Sequence, residues 1–186
     1  MTIAKFEKQC IKGVISAFNK HHKFTGGLSL RYAPEAFIQG EIALALSRIA
    51  PYVTLESHVC HALSEAGAER RGKIPRSSSG RIDIVTWWKN GSPRFLIEVK
   101  KLIAREAISA DVRRLRQLLG RGGSTREGLV VVYTSGQKPR TIDDRLKYAA
   151  SSSGAILSER TGPIAFKSVW SDSIWHYEAA CFRVQV

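Results

Sequence analysis

The spacing of apolar residues predicts two helices and a strand in the first third of the chain. Between residues 3 and 19, apolar side chains recur at the spacing of an amphipathic helix. A second helical stripe covers residues 34–49, with Pro34 where a helix begins and Pro51 where it stops. Residues 52–60 then alternate with a period of two, as a half-buried strand does.

Two stretches without periodicity are predicted to be loops. The first, from His21 to Arg31, contains two adjacent glycines. The second, residues 64–80, combines small residues, several basic residues and three consecutive serines. A basic segment of this kind can follow a phosphate backbone or can be an ordinary solvated loop, and the sequence favours neither.

A hairpin is the strongest local signal of the central region. Two apolar runs, residues 81–88 and 94–101, flank the segment Lys89-Asn90-Gly91-Ser92. Because Asn-Gly between apolar runs is typical of a tight hairpin, we predict two antiparallel strands joined by a two-residue turn. Pro93 can introduce a bulge near the turn, since proline has no N–H to donate.

The second half of the chain alternates helical and strand-like segments. Helices are predicted over residues 106–119 and 140–150, and the apolar run 129–133 is typical of a strand covered on both faces. The order of elements predicts an α/β sandwich around a mixed sheet. Further strands or irregular segments are predicted at residues 155–157, 164–170 and 175–184.

The composition fits one globular domain of 186 residues with a polyanionic partner. We divide it into an N-terminal helix and loop (1–33), a core (34–135) and a C-terminal helix and strands (136–186). Lys and Arg number 29 against 16 Asp and Glu, a net charge of +13. This excess favours nucleic acid over an anionic membrane, because no stretch is both amphipathic and lysine-rich on one face.

The predicted compartment is the cytoplasm, and no membrane association is expected. The first residues contain no apolar core of a secretory signal, and no apolar run reaches the length of a membrane span. Three cysteines, an odd number, do not suggest a disulfide framework and favour a reducing compartment. His58, Cys60 and His61 lack a second close pair of ligands and are predicted to be strand residues, not a zinc site.

The predicted hairpin brings two acids and a lysine together. The two-residue turn places Asp83 opposite Glu98, and alternation places Lys100 on the same face. Opposed carboxylates destabilise a sheet unless they are neutralised, and Mg²⁺ or Mn²⁺ would do so. Lys100 would then orient or activate a water. The competing interpretation is a solvated ladder of ion pairs. The opposite face is predicted to be apolar, with Ile82 and Ile84 against Phe95, Ile97 and Val99.

The spacing of Asp83, Glu98 and Lys100, within FLIEVK, resembles the PD-(D/E)XK nuclease superfamily. The resemblance extends over about residues 34–133, and Ile82 stands where the family's nominal motif has proline. It implies a restriction-endonuclease-like fold, with a central mixed β-sheet flanked by helices. It also implies a metal-dependent endonuclease that cuts DNA and leaves a 5′-phosphate.

The resemblance further implies an auxiliary acid and allows a homodimer. In this superfamily a helix before the sheet often supplies a further metal ligand, which would be Glu41 here; Glu56 on the first strand is the rival. Many nucleases of this fold are dimers that cut both strands.

Several basic or polar residues are candidates for DNA contacts, with a solvated surface as the alternative for each. Two other function classes stay open: a non-catalytic nucleic-acid-binding module on the same fold, and a basic protein with an acidic protein partner. The candidates for nucleic-acid binding are Arg70, Arg71, Arg76, Arg81, Arg113, Arg114, Arg116 and Gln117.

Overall fold

Seven strands form one mixed sheet in the computed structural model, which describes residues 2–68, 80–102, 108–125, 127–169 and 172–186. The order across the sheet is β1-β2-β3-β4-β7-β5, with β6 also paired to β7. Among the described strand pairs only β3 and β4 are parallel. The strands are β1 (Tyr52–His58), β2 (Arg81–Trp87), β3 (Pro93–Lys101), β4 (Glu127–Gly136), β5 (Ile156–Arg160), β6 (Ile164–Lys167) and β7 (Ile174–Gln185).

Five α-helices in the described residues cover the two faces of this sheet. The first two pack on one face and the other three on the opposite face, each group over its own cluster of buried residues. A short 3₁₀ helix, Leu30–Tyr32, precedes the second helix. The α-helices are α1 (Ile3–Phe24), α2 (Glu35–Leu46), α3 (Val59–Glu65), α4 (Ser109–Leu119) and α5 (Pro139–Ser153).

Strand β4 explains why both layers form. Leu129 and Val131 belong to the buried cluster under α1 and α2, whereas Val130 and Val132 belong to the cluster under α4 and α5. A strand that is apolar on both faces is stable only when helices cover both. The predicted α/β class with a mixed, helix-covered sheet is therefore confirmed.

Helix α1 lies against the last strand as well as against α2. The carboxylate of Glu7 is 1% exposed. It accepts a hydrogen bond from Ser158 Oγ at 2.6 Å, and Arg183 Nη2 donates to its second oxygen at 2.9 Å. Gly13 permits the close contact with α2, because a Cβ there would lie 2.5 Å from the Cα of Ile42.

Helix α1 continues through the start of the predicted loop. His21 is buried in its last turns, and Phe24 packs edge-on against Phe37 of α2 at 5.7 Å between ring centroids. These tertiary contacts extend the helix to Phe24, so the predicted loop at His21 was wrong at its beginning.

Strand β1 ends earlier than predicted, at His58. Helix α3 follows directly, because Val59, Ala62 and Leu63 form a buried helical stripe under the sheet. Cys60 and His61 are consequently helical and not strand residues.

The hairpin has the predicted register but not the predicted turn. Trp88 N–H donates to the Ser92 carbonyl oxygen at 2.8 Å, so three residues form the loop, with Gly91 at φ +81° in the left-handed region. A bulge beside Pro93 then shifts the pairing by one residue. Ile84 therefore pairs with Ile97, as a two-residue turn would have placed it. The longer loop and the bulge cancel each other.

No helix in the described ranges is long and apolar enough to cross a bilayer.

Candidate functional site

The site begins where β2 separates from β3. The described ladder between these strands ends at Ile84 and Ile97. At the next position, Oδ2 of Asp83 accepts a hydrogen bond from the backbone N–H of Val99 at 2.7 Å. The carboxylate thus replaces a strand partner and is fixed against the segment that carries Glu98 and Lys100.

Near the point of separation, Ile82 and Ile84 of β2 lie on opposite faces of the sheet. Ile84 lies in the buried cluster under α1 and α2, whereas Ile82 lies in the cluster under α3 and α4. The prediction that both isoleucines share one face was therefore wrong.

Glu98 is the most buried acid of the site, at 2% exposure. Arg114 Nη1, from α4, donates to its Oε1 at 3.0 Å, and Arg114 Nη2 donates to the carbonyl oxygen of Arg81. Burial raises the pKa of Glu98 to about 8, and the neighbouring charge of Asp83 acts in the same direction. The guanidinium of Arg114 offsets only part of this effect.

Lys100 is surrounded by carboxylates. Its Nζ lies 3.9 Å from Oε2 of Glu35 and 4.0 Å from Oδ2 of Asp111. Burial alone would lower the pKa of Lys100, but the nearby carboxylates, with Asp111 first, raise it overall. Lys100 is therefore a cation at neutral pH.

Asp111 is a second acid of the site whose surroundings disfavour its ionised form. It lies in the first turn of α4. Burial raises its pKa, and its buried Oδ2 has no hydrogen-bond partner among the described residues. Lys100 Nζ, 4.0 Å away, is too distant to donate a hydrogen bond to this oxygen, which therefore keeps an unused acceptor position.

Glu35 and Lys101 tie the site to the start of α2. Oε1 of Glu35 accepts from the backbone N–H of Lys101 at 3.2 Å. Nζ of Lys101 donates to the carbonyl oxygens of Ala33 at 2.8 Å and Arg31 at 3.2 Å. Lys101 is thus a structural link and not part of an exposed ladder.

The structure does not bring Glu41 to this site. Its carboxylate accepts from Ser16 Oγ at 2.8 Å and from Lys20 Nζ at 2.7 Å, both on α1. These hydrogen bonds outweigh burial and lower its pKa. Glu35, about 1.7 turns earlier in α2, occupies the place predicted for Glu41.

Glu56 stays an open alternative for the auxiliary acid. It lies between the ladder pairs Leu55–Ile84 and Ser57–Ile82, level with Asp83. Its φ of +52° is rare for a residue with a side chain, and the residue is exposed.

The predicted DNA-contacting residues divide into several groups. Arg81, Arg113 and Gln117 are exposed. Arg116 donates instead to the carbonyl oxygens of Ser153 and Gly154, at 2.9 and 2.7 Å, and so closes the end of α5. Arg114 pairs with Glu98 inside the site. The remaining candidates, Arg70, Arg71 and Arg76, lie outside the described residues.

Two residues of the site, Glu35 and Asp111, were not predicted from the sequence. Both occupy the first turn of a helix, where acids interact favourably with the helix dipole. Their position in the sequence therefore did not point to a functional site. The available signal for Asp111 was its spacing of three residues from Arg114, which places both on one helix face.

Comparisons with protein-family models, curated proteins and solved structures found no significant match to this chain. Within the described ranges, no three His, Cys, Asp or Glu side chains form a preformed metal cage.

Proposed function

We propose that the protein is a divalent-metal-dependent endonuclease that hydrolyses DNA phosphodiester bonds on a restriction-endonuclease-like fold. The hydrogen bond from Val99 N–H to Asp83 Oδ2, 2.7 Å long, carries the proposal. It holds the aspartate against the segment in which Glu98 and Lys100 stand two residues apart.

The residues present fit a hard cation such as Mg²⁺ or Mn²⁺, which Asp83 and Glu98 would hold. Burial, and then the charge of Asp83, raise the pKa of Glu98 to about 8, and Oδ2 of Asp111 has no hydrogen-bond partner among the described residues. A bound cation would favour the ionised form of both carboxylates. Magnesium uses one or two protein carboxylates and keeps several waters, so a three-ligand cage is not required. When bound, such an ion polarises a phosphoryl oxygen and lowers the pKa of a water.

Lys100 acts as a cation in this proposal. Because the surrounding carboxylates keep it protonated, it is unsuited to accept a proton from water. A fixed ammonium group can hold a phosphate oxygen and stabilise the charge that develops on it. Arg114 keeps the carboxylate of Glu98 in place through its bonds to Glu98 and to the Arg81 carbonyl.

DNA is the proposed substrate because of charge. A net charge of +13 favours a polyanion, and each phosphate neutralised releases counterions. Arg81 and Arg113 are exposed, and Arg113 is on the helix that carries Arg114 and Asp111.

The test is a cleavage assay on supercoiled, linear and branched DNA with Mg²⁺, Mn²⁺ or EDTA. We expect Lys100→Ala to reduce cleavage by about 10²–10³-fold, the usual cost of losing one transition-state-stabilising group. The matched control is Lys89→Ala, which removes the same charge from the exposed hairpin loop. Equal cleavage by the two variants would refute the proposed role of Lys100.

A non-catalytic DNA-binding module is the second candidate. It is favoured by the ion pair between Arg114 and Glu98 at 3.0 Å, which already partners one oxygen of a proposed metal ligand. Salt-sensitive DNA binding by the wild type, with no cleavage under any metal condition, would support this candidate.

A further inference from the structure

A separate cavity of about 230 Å³ adjoins the candidate site. It lies between the 3₁₀ helix, the end of β4 and the strands β6 and β7. Lys101, the neighbour of Lys100 in β3, links the two, since its Nζ donates to the carbonyl oxygen of Arg31 in the cavity wall. Its lining includes Arg31, Tyr32 and Trp175.

Aromatic rings and a guanidinium border this cavity. The Arg31 guanidinium carbon lies 5.4 Å from the centroid of the Tyr32 ring and 5.9 Å from that of Trp175. Tyr32 is 52% exposed, so much of its surface is available to a ligand. The Trp175 ring also lines the cavity, and its buried Nε1 has no acceptor within the part of the chain that the structure describes.

Among the described residues, Arg31 in the cavity wall and Arg145 on α5 have no carboxylate partner. Neither Arg31 nor Arg145 forms an ion pair with a carboxylate of the described residues. Arg145 Nη1 donates to the carbonyl oxygen of Ser135 at 2.8 Å. Burial, and then the charge of Arg31, lower the pKa of Arg145. The guanidinium of Arg31, in the cavity wall, is suited to bind a phosphate.

We propose that this cavity binds one unpaired nucleotide of DNA, with its base against Tyr32 and Trp175 and a phosphate at Arg31. A base inside a duplex is stacked on both faces and cannot enter such a cavity. The inference rests on the proposed function and deepens it: the preferred substrate carries a single-stranded segment beside the cleavage site.

The experiment is a binding measurement in EDTA, so that it does not depend on cleavage. Fluorescence anisotropy compares a labelled oligothymidine with a blunt duplex of similar length. Stacking of a base on one aromatic side chain contributes to the affinity for single strands. Tyr32→Ala and Trp175→Ala should therefore each weaken single-strand binding by about tenfold. Duplex binding should not change. The control is Tyr52→Ala, which removes an exposed ring from β1 at the sheet edge.

Conservative variants separate stacking from folding. Tyr32→Phe and Trp175→Phe keep a ring and should keep most of the single-strand affinity. Equal losses for single strand and duplex, or no loss in either alanine variant, would overturn the inference. Absence of cleavage by the wild type would refute the proposed function without affecting this result. Cleavage sensitive to Lys100→Ala, without a single-strand preference, would overturn this inference alone.

Discussion

Replacing Glu98 by glutamine should change how stability depends on pH. The amide keeps the shape of the side chain, and its oxygen can still accept from Arg114 Nη1, which donates to Glu98 at 3.0 Å. It cannot ionise. In the wild type, the pKa of Glu98 is about 8 in the folded protein, against an ordinary value of 4.5 in the unfolded chain.

The sign of this pH dependence follows from the number of protons that each state binds. Between about pH 4.5 and about pH 8 the unfolded chain has released the proton of Glu98, whereas the folded protein retains it. The unfolded state then binds fewer protons, so the wild type loses stability as pH rises through this window. At about 1.4 kcal/mol for each pKa unit, the total loss approaches about 5 kcal/mol. Glu98→Gln removes this loss, and its advantage over the wild type should grow across the same window.

Urea denaturation in EDTA, followed by tryptophan fluorescence at a series of pH values, measures this difference. Glu65→Gln, at an exposed position on α3, is the matched control and should follow the wild type. Added Mg²⁺ at the alkaline end should stabilise the wild type but not Glu98→Gln, because ligand binding stabilises the state that binds it. Parallel pH profiles for the wild type and Glu98→Gln would refute the assigned burial and charge of Glu98.

Two further predictions concern α2 and its contact with α1. Glu35→Gln should reduce DNA cleavage, because Glu35 lies beside Lys100 and accepts from Lys101, whereas Glu41→Gln should leave cleavage rates unchanged; equal effects would contradict the assignment. Gly13→Ala should lower the free energy of unfolding by about 1–3 kcal/mol through overpacking against Ile42, as measured by urea denaturation. Gly40→Ala, with no atom within 4 Å of its added Cβ, should instead be neutral or stabilising.

The hairpin could be predicted from sequence because its signals are local. Asn90-Gly91 and the alternation of apolar residues determine which residues of β2 and β3 pair, and the register is as predicted. The loop length was not predictable in the same way. It depends on the bulge beside Pro93, which compensates the extra loop residue only once both strands are in place.

The auxiliary acid could not be placed from sequence because α2 has no clear polar face. Its second half, from Ile42 to Leu46, is entirely apolar, so the pattern does not show which side faces the sheet. In the structure Glu41 bonds to α1, whereas Glu35 reaches β3 from the first turn. The contact of Asp111 with Lys100 likewise depends on how α4 docks after the crossover from β3, which no local signal predicts.

The pairing of Glu7 with Arg183 links the order of synthesis to the order of folding. The two residues are 176 positions apart, and Ser158, the other partner of Glu7, is also near the end of the chain. At ribosomal speeds, the intervening chain takes on the order of ten to thirty seconds to make. Until the segments that carry Ser158 and then Arg183 have been made, the carboxylate of Glu7 lacks these partners and must remain hydrated. Helix α1 can therefore reach its final position only after β5 and β7 have been translated.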